Sequence, residues 1–153
     1  MEENEYCSTY HSINQVRCVF EKAMVTRHCQ CSRSVYFALA EREGYGCNHR
    51  QAQQRCEALQ KLLRNNARFT LGITTAEGPL PHNKEIRVQV GGMRGIHKLC
   101  FPALAEHEVI DDIDATIEAA IARYGSIEAL PYDQIIPSVV AFEGRRKRRG
   151  RER

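Results

Sequence analysis

Five of the chain's seven cysteines, Cys18, Cys29, Cys31, Cys47 and Cys56, lie in the single stretch from Arg17 to Asn66, in the pattern C-x10-C-x-C-x15-C-x8-C. No other feature constrains the fold as much. A cell keeps such thiols as metal ligands, as redox groups or as small buried hydrophobes, and each use demands a different packing. The compartment narrows the choice. MEENEYC at the start is acidic and polar, unlike a secretory leader, and no apolar run approaches the roughly 20 residues a membrane span needs. A cytoplasmic chain is expected. Disulfides are disfavoured there, and an odd cysteine count agrees.

Soft thiolates select zinc, copper(I) and iron–sulfur clusters, and four of them complete a tetrahedral site. The most economical ligand set is Cys29, Cys31, Cys47 and Cys56. Cys18, close to three helical turns before Cys29, is a substitute ligand or a thiol next to the site. His28 and His49 stand beside cysteines and are possible replacements for one sulfur. The mostly sulfur ligand set points first to an iron–sulfur cluster and second to zinc. The spacing matches neither a zinc knuckle nor a ferredoxin run. One geometric condition follows. Within a continuous helix Cys29 and Cys31 point about 200° apart, so a shared metal requires a break at Cys29–Ser34. Against the metal stands core packing, because Cys31 and Cys56 each fall on an apolar stripe. A third use is a reactive thiol at Cys47, just before a helix start. Cys7, His11 and Cys100 read as an exposed thiol, a surface histidine and a strand residue.

The periodicity predicts an α+β domain over 1–144: a Cys-rich helical hairpin over 15–66, a three-stranded antiparallel sheet over 67–102, and C-terminal helices over 106–144. Ile13, Val16, Phe20 and Ala23/Met24 repeat with the helical period, and His28, Cys31, Val35 and Leu39 extend the stripe. Gly44-Tyr45-Gly46 reads as the turn between two antiparallel helices. Asn48 reads as the N-cap of the second, which carries Ala52, Cys56, Leu59 and Leu63 and ends near Asn65–Asn66. Phe69, Leu71 and Ile73 alternate with polar residues, as do Ile86, Val88 and Val90. Both runs read as strands, and Gly91 to Gly95 as the turn into a third over Ile96–Phe101. Ile110, Ile113, Ile117, Ala120 and Tyr124 mark a helix closed by Gly125. Pro131 reads as a stop and Pro137 as the first position of a last helix.

The net charge of +3 divides unevenly. Residues 145–153 carry seven Lys/Arg against Glu152 alone, a balance of +6, which leaves −3 on the other residues. This basic tail is expected to be disordered. Arg145, Arg146, Lys147, Arg148 and Arg149 are its candidates for docking to nucleic acid or to an acidic protein partner. No aromatic interleaves them, so base stacking is not expected. The chain carries no P-loop, no dinucleotide fingerprint, no G-x-S-x-G and no H-E-x-x-H. Asp111, Asp112 and Asp114 suit a helix start. The expected function is therefore a small metal-binding accessory protein acting in electron transfer, cluster handling or regulation. The alternative is a zinc-stabilised interaction or nucleic-acid-associated module. No reaction is assigned.

Overall fold

A computed structural model describes residues 3–5, 9–10, 14–73, 78 and 80–142. A short helix, α1 (Glu21–Val25), precedes a two-stranded antiparallel sheet, β1 (Ser34–Leu39) and β2 (Arg42–Cys47). Next come α2 (Arg50–Asn66) and α3 (Arg68–Leu71). A helical rod follows, in which α4 (His82–Ile86) runs through a π-helical turn (Arg87–Gly91) into α5 (Gly92–Cys100). A 3₁₀ turn (Pro102–Leu104), α6 (Ile113–Tyr124) and α7 (Tyr132–Ala141) complete the described chain. No helix among these residues is long and apolar enough to cross a membrane.

The expected α+β arrangement needs two corrections, although helix and sheet are indeed mixed. The helical hairpin over 15–66 is replaced by a short helix, a β-hairpin and a single long helix. The β-hairpin arises because Val35, Tyr36 and Phe37 favour a pleated strand, and because Ala40 and Glu41 adopt the two positive φ angles, 50° and 66°, of a tight two-residue turn. Gly44 and Gly46 lie inside β2 and turn nothing. A Cβ at Gly44 would meet the Phe37 ring at 2.5 Å, and one at Gly46 would meet Asn14 Oδ1 at 2.6 Å. Both are glycine because other groups occupy the space.

The three-stranded sheet over 67–102 is likewise overturned. Among the described residues there are seven α-helices and one two-stranded sheet. The alternation at Ile86, Val88 and Val90 spans the end of α4 and the π turn, where Val88, Gln89 and Val90 are all buried. Gly91, Gly92 and Gly95 form a close-packed helix face. Added Cβ atoms would come within 2.5 Å of Val139 Cα, 2.7 Å of Leu63 Cδ1 and 2.8 Å of the Ile135 carbonyl. The rod therefore presses backbone to backbone on α7. Pro131 precedes α7 and Pro137 lies within it. Elsewhere expectation and structure agree closely. α2 ends at Asn66, though its N-cap is His49, whose Nδ1 accepts from the Ala52 amide at 3.1 Å. α6 starts at the Asp112 cap and stops at Gly125, φ 97°.

Candidate metal centre

Four chain segments converge where the β-hairpin meets α2. The residues around Cys18 are pinned to β2: the Cys18 amide donates to the Tyr45 carbonyl at 3.0 Å, and the Cys47 amide to the Val16 carbonyl at 2.8 Å. Cys31 sits in the irregular run before β1, where the Ser34 amide and hydroxyl donate to its carbonyl at 3.2 and 2.8 Å. The helix break that a shared site required at Cys29–Ser34 is present. Cys47 ends β2, and Cys56 lies in the second turn of α2.

Cys18, Cys31, Cys47 and Cys56 together line one narrow cavity of about 20 Å³, walled on its apolar side by Phe20 and Ile113. Their charges would be felt mutually. Burial pushes the Cys18 thiol up to about 12, with Cys31 and Cys47 adding to the rise, and burial pushes Cys56 to about 12, with Cys18 and Cys31 adding. Backbone N–H groups also bear on two of these thiols. The Phe20 N–H is directed at Cys18, and the N–H groups of Arg33 and Asp114 at Cys31, each opposing the upward push of burial. In Cys18-Val19-Phe20 and Cys31-Ser32-Arg33 the opposing amide belongs to the residue two positions on. That contact suits a thiolate better than a thiol, since an anionic acceptor strengthens it.

The surrounding charges are fixed. Arg33 and Arg55 both meet Asp114, at 3.0 and 2.7 Å, and Arg55 also meets Glu118 at 2.5 Å. The Asp112 carboxylate caps α6 at the Asp114 amide, 3.1 Å, and accepts from the Ser32 amide at 3.0 Å. These acids therefore tie α6 to the Cys31 run, a role beyond their helix-start placement. Among the described residues no group of three or more His, Cys, Asp or Glu side chains is already drawn in to hold a metal ion. The four thiols share a cavity without forming such a group.

Cys29, first in the expected ligand set, takes another place. It is 2% exposed within the hydrophobic core, and its backbone bridges to Ile110. Burial holds its thiol up at about 12. Cys18, expected only as a substitute, occupies the fourth wall position. His28 turns its ring edge to Phe142, centroids 5.2 Å apart, with Nδ1 2.8 Å from Thr26 Oγ1. His49 is engaged as the α2 cap, and neither histidine lines the cavity. Cys47 donates to the His49 carbonyl at 3.3 Å. Cys100 ends α5 and does not lie in a strand. Cys7, His11 and the tail from Arg145 to Arg149 lie outside the described residues. Sequence reasoning missed the amides of Phe20, Arg33 and Asp114, because every non-proline residue carries an N–H and side-chain identity gives no signal.

Comparison with protein-family models, with curated proteins and with solved structures gives no match.

Proposed function

We propose that this chain is a small metal-stabilised accessory module whose Cys18, Cys31, Cys47 and Cys56 hold one zinc ion as a four-thiolate site. One observation carries the reading: four thiols from four separate segments line a single cavity. Buried thiols with raised pKa are neutral when alone, whereas a divalent cation makes each of them an anion and repays their clustering. Cavity size favours zinc over a cluster. About 20 Å³ accommodates roughly one water-sized sphere, whereas a cubane cluster brings several irons and sulfides. The site is structural in kind. It ties the β-hairpin and the Cys18 run to α2, and all four positions are taken by protein ligands. A reducing, cytoplasmic setting would keep the thiols available.

The test is anaerobic purification with zinc, iron and acid-labile sulfide measured on one sample. Stoichiometric zinc is expected, lost in each of the Cys18→Ser, Cys31→Ser, Cys47→Ser and Cys56→Ser variants and kept in Cys29→Ala. Matched iron and sulfide would transfer the same four ligands to a cluster. A folded chain that contains no metal and takes up none would defeat the reading.

A further inference from the structure

A second, larger cavity of about 380 Å³ opens between α1, α2 and the α4–π rod, a volume within the range of small-molecule sites. Its walls are polar to an unusual degree. Six polar or charged side chains are buried among the described residues, and three of them, Glu21, Glu85 and Gln89, line this one cleft. Burying such groups is costly unless they are partnered, and here the partners are present. Glu85 accepts from Gln60, Arg64 and, at 2.9 Å, Gln89. Glu21 accepts from Tyr10, from Arg17 at 2.8 Å and from the Tyr45 amide at 2.9 Å. Gln89 sits in the π turn. Its amide accepts from the Ala23 N–H at 3.1 Å and donates to the Val19 carbonyl at 3.2 Å, which fixes the α1 wall. π turns recur at functional sites because they place a side chain that a regular helix would misdirect.

The charges left over define what the cleft would accept. Arg17 is paired with Glu21, and Arg64 with Glu85. The remaining lining charges are Lys22 on the α1 wall and Glu57 on the α2 wall. Neither forms an ion pair among the described residues, and Glu57 accepts only from the neutral Gln53 amide, at 2.9 Å. One cation and one anion are thus left among the lining residues, on different helices, with Val19 and Leu80 as the apolar part of the lining. We propose that this cleft binds a free α-amino acid with an aliphatic side chain. Lys22 would take its carboxylate, Glu57 its ammonium, and Val19 with Leu80 its side chain. Cys18 and Gln53 belong to the walls of both cavities, but no ionic contact of this site depends on the metal.

The experiment is calorimetric titration of the full chain with leucine, with 4-methylpentanoate, which lacks the ammonium, and with 3-methylbutylamine, which lacks the carboxylate. Saturable one-to-one binding of leucine is expected, each analogue binding about tenfold or more weakly, the scale of a hydrogen bond to a charged group. In Lys22→Met the affinities of leucine and 3-methylbutylamine should converge, and in Glu57→Gln those of leucine and 4-methylpentanoate. No saturable binding of leucine at millimolar concentration would overturn the proposal, as would analogues binding as tightly as leucine. Should either variant misfold, the three ligands on the unaltered chain still decide.

Discussion

The two halves of the molecule are held by different means. Of the twelve largest fully buried side chains, nine lie between Val88 and Val139, and none lies in β1 or β2. The C-terminal half supplies most of the apolar core, and there Gly91 and Gly95 let one helix sit directly on another. The hairpin half has little apolar anchorage of its own. It joins the rest through Tyr10, through backbone bonds to the Cys18 run and through the four-thiol cavity. A two-stranded sheet alone is marginal in water. Half a chain that cannot bury its own core is where a metal contributes most.

On the proposed reading, removing a metal from the four thiols should act on one half only, and this is the largest effect expected. Hydrogen exchange on chelated protein, or on Cys56→Ser, should show the amides of Ser34–Leu39 and Arg42–Cys47 losing protection by about a hundredfold or more, while α5 to α7 keep theirs. Equal loss in both halves would mean that the metal organises the whole chain. An unchanged hairpin would mean that the thiols are only packing.

The converse break is made in the helical half. Gly91→Val drives a branched side chain into the Val139 backbone, where even a Cβ would sit at 2.5 Å. The cost should be about 3 kcal/mol or more, read as a drop in thermal midpoint. The zinc content of the protein that remains folded should not change. A parallel fall in metal stoichiometry would erase the distinction between the halves.

What could be read in advance follows the same division. α2 and α6 were legible because local signals and tertiary packing agree there: Leu59 and Leu63 are buried on one face, and Asp112 and Gly125 mark the two ends of α6. The β-hairpin was illegible because its turn is Ala40–Glu41, residues with no turn signature, while the glycines that look like a turn are strand positions emptied by Phe37 and Asn14. The rod was illegible because Val88, Gln89, Val90 and Gly91 of its π turn are all buried in succession, which removes helical periodicity there. The thiols were recognisable as a group. Which four line one cavity was not, because placing Cys18 there and Cys29 in the core depends on the pairing of Cys29 with Ile110 and of Cys18 with Tyr45, contacts distant in the chain.

Gln89 crosses the boundary between the halves. Gln89→Ala would strand the Ala23 N–H and the Val19 carbonyl, both beside the Cys18 run, and remove one of the two hydrogen bonds to Oε1 of buried Glu85, which keeps the one from Gln60. A loss of about 2 kcal/mol is expected, within the range for an unsatisfied buried polar group. Chelator competition should also show weaker zinc retention. Lost stability with unaltered retention would show the halves to be coupled only through the core.

The smallest effect isolates the helical half by pH. His97 is 9% exposed, tilted against Phe101 with centroids 5.1 Å apart, and faces Asp111 and His107. Burial lowers its pKa below the ordinary 6.5; Asp111 opposes that shift and His107 adds to it. The unfolded chain therefore takes up the proton first. Stability is full above the ordinary value, declines as pH falls through it, and levels off below the folded value. Acid would also protonate thiolates and release zinc held as proposed, so the informative quantity is a difference between two proteins. Thermal midpoints of the unaltered chain and of His97→Gln, followed from about pH 7.5 to 5.5, should diverge by an amount worth about 1 kcal/mol or less. The unaltered chain should lose more. Parallel curves would mean that His97 accepts its proton inside the fold at no cost, and that the tightly packed half is as tolerant of charge as the hairpin.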